Sequence, residues 1–338
     1  MFLSFLKNKS QNISPDGSYY YFSRFTDEQK TIYQSLLTGI RSFKKEIKIP
    51  LRPVNEISLI FNSMLLDNPL VFYVSSYNQV NDLYKQKCTI VPEYKFTHQV
   101  IKQYTNTVNN FLQVFDTVKN KSDSDKELFV HDYCLNNVSY DNGFGDYSYS
   151  VLGPVLNKTA VCDGIAKFVK LAFDYLGVKC LVVSGKAQNP AADSKMEGHS
   201  WNMVKTGGKT YHLDVTFDMT LKNKTNRYDY FNLCDNDIKK DHVIVTNVPA
   251  CTTAGNDYYS VNSLSVNSSA ELDNYIGKAL KQGKKTIVVK IMNVQYSENT
   301  VNKIMGIAQR QYGNMHNGSV MIEVEYNSSQ MVFEIHFK

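Results

Sequence analysis

The chain has 338 residues, 43% of them hydrophobic and 12% aromatic, which is enough to bury a core and more than one comfortable core holds, so two or three folded units are expected. Its net charge of +5, from 37 basic and 32 acidic residues, is spread without any long run of one sign, which argues against a nucleic-acid-binding arm. No segment approaches the ~20 apolar residues of a spanning helix; the start MFLSFLKNKS has too short an apolar run for a signal peptide, so a cytoplasmic location is expected.

Thr26 with Gln29 forms a capping-box pattern, and Ile32, Tyr33, Leu36, Leu37, Ile40 and Phe43 follow at helical spacing until Pro50 and Pro53. Ile57, Ile60, Phe61 and Met64 predict a second helix, and Leu70 to Val74 a strand after the Asp67-Asn68-Pro69 turn. An α+β amino-terminal region over residues 1–95 results. A central region over 96–245 opens with a long helix through Ile101, Tyr104, Val108, Phe111, Phe115 and Val118, then a second with a capping box at Ser124 and Glu127.

Val161-Cys162-Asp163-Gly164 then opens an apolar run at helical spacing (Ile165, Phe168, Val169, Ala172, Phe173, Leu176) closed by Gly177. Cys162 is thereby placed in a first helical turn, where unpaired N–H groups and the positive end of the macrodipole favour a thiolate and can hold a developing oxyanion. Gly164, lacking a side chain, would leave the approach open. The other cysteines, Cys88, Cys134, Cys180, Cys234 and Cys251, form no CxxC pair and are too sparse for a disulfide scaffold or zinc site, so they are expected to be free, buried thiols.

After an apparent strand at Leu181 to Ser184, Gly198-His199-Ser200-Trp201-Asn202 and Tyr211-His212-Leu213-Asp214-Val215-Thr216 flank a Gly207-Gly208 centre that suits a two-residue hairpin turn. If that turn sets the register, Trp201 faces Asp214 and His199 faces Thr216, which makes His199 and Asp214 diagonal neighbours on one face. Such a carboxylate would orient an imidazole acting beside a thiolate. His212 lies on the same face and competes as the base. His131 and Asp132 are expected to serve helix packing and a solvated surface, with no metal. The chain closes with a small α+β region over 246–338: a helix capped by Ser268 and Glu271, a strand Thr286 to Ile291, a helix through Val301 to Ala308, and two alternating strands. Val320, Ile322, Val324 and Tyr326 line one face of the first, and Met331, Phe333, Ile335 and Phe337 one face of the second.

These residues resemble the transglutaminase-like superfamily. The resemblance lies in the order Cys, His, Asp, in the VCDG helix start, in GHSWN, in YHLDVTFD, and in His131-Asp132-Tyr133 through Tyr140-Asp141. It spans about residues 124–218. Asp67-Asn68-Pro69 and Tyr230-Phe231-Asn232-Leu233 look similar to larger bacterial proteins built around this domain. The resemblance implies an α+β, papain-like core, with the cysteine on a helix N-terminus and an antiparallel sheet carrying histidine and aspartate. It makes Cys162 the nucleophile, His199 the base and Asp214 the orienting acid, which resolves the His212 ambiguity. Papain-like proteases carry a glutamine six residues before the cysteine where this chain has Leu156, so Tyr149 becomes a candidate second oxyanion donor beside the Cys162 N–H, with Trp201 and Gly164 lining the substrate. No acidic loop resembles a calcium site, and no cofactor is implied. The function expected is cysteine-dependent acyl transfer on a peptide or protein substrate, as a protease or amidase in preference to a glutamine transglutaminase; a non-catalytic scaffold that keeps the fold is the competing class.

Overall fold

A computed structural model describes residues 19–189, 195–223, 225–316 and 320–338. The architecture is mixed α+β, and the backbone divides into two units. One comprises the chain up to Val183 together with Ser200–Gly208; the other comprises Ser184–His199 and Lys209–Lys338. Among the described residues no helix is long and apolar enough to cross a membrane.

The first unit opens with a helix Asp27–Arg41 started by the expected box: Thr26 accepts from the Gln29 backbone N–H while the Gln29 side chain accepts from the Thr26 N–H. Its apolar stripe, Ile32, Tyr33, Leu36, Leu37 and Ile40, is buried. Strand β1 (Ile47–Pro50) pairs antiparallel with β3 (Lys87–Tyr94), which also pairs with β2 (Val74–Asp82), in the order β1-β3-β2. The strand expected from Leu70 begins only at Val74. Residues 70–73 instead form buried turns, because Asn68 ends the preceding helix with Nδ2 on the Met64 carbonyl and its own carbonyl takes the Val71 N–H.

The helix expected through Ile101 to Val118 is α-helical over His98–Phe111 and tightens to a 3-10 helix over Leu112–Val118. The next helix, Asp123–Asn137, starts two residues earlier than its expected box: Ser122, not Ser124, is the N-cap and accepts from the Asp125 N–H. Two short parallel strands follow, β4 (Ser139–Tyr140) and β5 (Thr159–Ala160). The helix Cys162–Leu176 then buries ten of its residues and stops at Gly177, whose φ of 75° is the left-handed conformation that glycine adopts at little cost.

Strands β6 (Lys179–Ala187) and β7 (Glu197–Thr206) contribute to both units. Two residues separate strand β8 (Lys209–Leu213) from the end of β7, and these, Gly207 and Gly208, both have positive φ, 56° and 81°, as a type I′ turn demands. In the second unit β8 pairs antiparallel with β9 (Phe231–Leu233), and β10 (His242–Ile244) pairs antiparallel with β6, His242 opposite Ala187. The carboxy-terminal sheet has the order β11-β12-β14-β13 (Ser265–Val266, Thr286–Ile291, Val332–Phe337, Ile322–Asn327). Helices Ser269–Lys281 and Glu298–Gly313 pack on it through Leu272, Ile276, Leu280, Ile304 and Ala308. Strand β14 departs from the expected alternation, since all six of its residues are buried. Its polar side, Glu334 and His336, is covered by polar partners: Thr225 donates to Glu334, Arg227 lies 3.5 Å from it, and Thr286 contacts His336.

Candidate functional site

In the first unit Cys162 is the opening residue of the helix Cys162–Leu176. The N-cap, Val161, is extended and offers no side-chain acceptor to the first turn, so no side chain of the cap takes the backbone N–H groups there. All six cysteines are free, and Cys162 alone is partly exposed; the other five are buried. Burial pushes Cys134 and Cys180 far above the ordinary thiol range, and Cys251 up to about 11.

Two contacts within this unit hold the cysteine helix. Asn202, buried in β7, donates through Nδ2 to the Ala166 carbonyl at 2.9 Å and reaches the Leu181 carbonyl at 3.4 Å. Gly164 packs against the Ser148 carbonyl, into which any Cβ would clash, and the Val161 N–H donates to that same carbonyl at 3.1 Å. The glycine in this motif therefore admits the 145–150 turn to the helix.

In the second unit His199 Nε2 donates to Asp214 Oδ2 at 2.6 Å. The aspartate is not on a strand as expected, and Thr216 does not extend one. Strand β8 ends at Leu213, and Asp214 is the N-cap of a short helix, Val215–Leu221, with Oδ1 accepting from the Phe217 N–H at 3.0 Å. The cap bond takes one carboxylate oxygen and leaves the other to the imidazole, so turning the chain out of the strand fixes the carboxylate more firmly than a diagonal strand position would.

A further residue completes the group. His242, fully buried on β10, donates through Nε2 to the same Asp214 Oδ2 at 3.0 Å and through Nδ1 to Asp241 Oδ1 at 2.6 Å; Tyr230 donates to Asp241 Oδ2 at 2.6 Å. Phe217 lies tilted against both rings, with centroids 4.5 Å from His199 and 4.7 Å from His242. Burial opposes ionisation of Asp214, but the charge and hydrogen bond of His199, with His242 adding to both, outweigh it and hold the carboxyl well below the usual range. Burial likewise opposes the charge on His242, and the hydrogen bonds to Asp214 and Asp241 overcome it, so its pKa is raised.

His212 has a different partner. It is buried, and its Nε2 lies 2.9 Å from Asp235 Oδ1; burial pushes it down to about 4, the Asp235 bond only partly opposing. Asp218, also buried, accepts from the Tyr230 N–H. Trp201 is buried in β7, and Tyr149 is 53% exposed with its carbonyl accepting from Lys167 Nζ. Leu156 lies in the turn Gly153–Asn157. His131 is buried and its Nδ1 lies 3.2 Å from Asp132.

Among the described residues two groups bring three ligand-type atoms within 4.8 Å of one another: His199, Asp214 and His242, and Glu325, Glu334 and His336. In the first, the imidazole nitrogens facing Asp214 are committed as donors to an ionised carboxylate, which takes away the lone pairs a metal would need. In the second, Glu325 and Glu334 already accept from Asn223 and Thr225.

Residues 112–215 match the model of the transglutaminase-like superfamily. That segment contains Cys162, His199 and Asp214 and stops short of Asp241 and His242. The resemblance read from the sequence stands over this stretch. No curated protein matches the chain. Among solved structures, a protein described as a TGase aligns over 54% of this chain and 53% of its own, at 16% identity and a TM-score of 0.31. A protein of Cytophaga hutchinsonii, provisionally described as a cysteine protease, aligns over 42% of this chain and 61% of its own, at 12% identity and 0.28. One of Parabacteroides distasonis, provisionally described as a protease, aligns over 78% and 62%, at 11% identity and 0.27. The chain thus spans between half and two thirds of the length of each of these proteins.

Proposed function

We propose that the protein is a cysteine-dependent acyl-transfer enzyme of papain-like design, with Cys162 as nucleophile, His199 as its base and Asp214 as the group that orients the base. The observation that carries this reading is the His199–Asp214 hydrogen bond of 2.6 Å, with the carboxylate held ionised in a buried setting. With Nε2 committed to Asp214, Nδ1 is the ring nitrogen that takes the thiol proton and later returns it to the leaving group. Two further features support the reading. Cys162 is the one partly exposed cysteine and opens an uncapped helix, and all three residues lie within the segment that matches the transglutaminase-like superfamily.

The chemistry runs in two balanced steps. The Cys162 thiolate attacks an amide carbonyl, the new oxyanion is met by the Cys162 backbone N–H, and collapse expels an amine or ammonia that leaves with the proton from His199. Water, deprotonated by His199, then attacks the thioester and releases the acid and the thiolate. We favour hydrolysis over transfer to an amine because Trp201, the residue that could line a second, water-restricted approach for a lysine side chain, is buried in β7.

A glutamine-containing peptide pool mixed with a labelled primary amine tests the reading. Ammonia release or backbone cleavage is expected, with little amine incorporation, and both vanish in Cys162→Ala. Incorporation that dominates at millimolar amine overturns the hydrolase preference; turnover that survives in Cys162→Ala overturns the mechanism.

A further inference from the structure

The cluster around Asp214 holds one group that the proposed triad does not use. Both acidic neighbours of His242 accept from it: Asp214 Oδ2 at 3.0 Å and Asp241 Oδ1 at 2.6 Å. A ring that donates from both nitrogens is an imidazolium. Its surroundings agree with a fixed charge. Asp241 adjoins it on the chain and is itself anchored by the Tyr230 hydroxyl; Asp214 and Phe217 come from the start of the helix Val215–Leu221; His199 comes from β7 with ring centroids 5.5 Å apart; Tyr230 lies 5.6 Å away, and His212 of β8 also interacts with it electrostatically. His242 is buried, so solvent screens its contacts with the buried Asp214 and Asp241 little.

We infer that His242 is a positioning residue for the proposed reaction, clamping the Asp214 carboxylate between two imidazoles and setting how firmly His199 keeps its proton. The inference rests on the reading of Cys162 and His199 given above. Asp214 Oδ2 is shared by two donors, while Oδ1 is taken by the Phe217 N–H, so the carboxylate cannot rotate without breaking a bond to one of them. The second effect is electrostatic. A positive ring 5.5 Å from His199 repels the imidazolium that forms there and shares the negative charge that would otherwise stabilise it. His199 is thereby kept a better proton donor to the leaving group than an undiluted aspartate partner would allow.

The test uses the whole protein and needs no known substrate. The rate at which iodoacetamide alkylates Cys162 is measured against pH in wild type, His242→Gln, Asp241→Asn and His212→Gln, with circular dichroism and urea unfolding as folding controls. In wild type the profile is expected to carry an inflection where His199 loses its proton, because the imidazolium of the proposed pair alters the reactivity of its thiolate. Removing the His242 charge lets His199 hold its proton longer, so the inflection moves to higher pH in His242→Gln and, by less, in Asp241→Asn. His212→Gln lowers stability and leaves the inflection in place. A folded His242→Gln protein whose inflection coincides with that of wild type overturns the inference and leaves the triad standing. A wild-type Cys162 that reacts no faster than the buried cysteines, with no inflection, removes the triad and the inference together.

Discussion

At the residue scale the account turns on which of several chemically equivalent side chains acts, and exposure separates them. Cys162 is partly exposed, whereas Cys134 and Cys180 are buried and their thiols pushed far up by desolvation. Iodoacetamide is therefore expected to label Cys162 first, and peptide mapping after partial labelling checks this; equal labelling of Cys134 or Cys180 contradicts it. The two histidines of the 199–212 segment separate by partner. His199 bonds the ionised Asp214, and His212 is held neutral near pH 7 by burial and bonded to Asp235. Turnover should vanish in Cys162→Ala and His199→Ala and fall roughly 10²–10⁴-fold in Asp214→Asn, which supplies the wrong partner to the ring. His212→Gln should retain most of it. Spacing about the Gly207-Gly208 turn made His199 and Asp214 candidate neighbours, with His212 competing as the base until the resemblance to the transglutaminase-like superfamily chose between them. His242 was not, because it lies 28 residues from Asp214 along the chain and nothing in an Asp-His pair on a short strand announces what it faces. Its only trace was an acid followed by a histidine beside an apolar run.

At the scale of elements, the parts read correctly were those with local chemistry: the Thr26–Gln29 box, the helix opening at Cys162, the Gly-Gly turn and the strand Thr286–Ile291. The misreadings have separate causes. Val215-Thr216-Phe217 looks like a strand by β-propensity, but Asp214 caps the first turn of a helix there, and a cap bond outweighs a weak strand preference. Strand β14 looked one-sided because Glu334 and His336 are polar, and their cover comes from far along the chain: Thr225 on Glu334 and Thr286 on His336. Asn202 belongs with these long-range features. Its amide ties β7 to the carbonyl of Ala166, one turn into the cysteine helix. Asn202→Leu, which keeps the volume and deletes the donor, should cost about 1–3 kcal/mol in urea unfolding through the buried carbonyl left without its partner. Gly164→Ala should also destabilise, by about 1–3 kcal/mol, because its Cβ drives the Ser148 carbonyl away from the helix. Wild-type stability in either variant contradicts the packing described.

At the scale of the whole molecule, two buried groups give opposite pH dependences. His212 has a folded pKa of about 4 against an ordinary 6.5, so its contribution is present above about pH 6.5 and is lost as pH falls through 4. Asp67, buried beneath Tyr21, Phe22 and Tyr33, is raised by desolvation from 3.8 to about 6, so its contribution is present below about pH 4 and is lost as pH rises through 6. Each is worth about 3 kcal/mol at full extent. As pH rises from 4 to 6.5, His212→Gln should fall progressively behind wild type in urea midpoint, and Asp67→Asn should gain on it. Parallel curves for all three proteins contradict both assignments. The central claim, that Cys162 forms an acyl intermediate with the help of His199, is tested most directly by mass spectrometry. The protein is incubated with a peptide amide pool, quenched in acid, and the acyl adduct is located by digestion. The account predicts an adduct on Cys162 in wild type, none in Cys162→Ala, and at least a hundredfold slower formation in His199→Ala. An adduct on another residue, or one that forms as fast without His199, contradicts it.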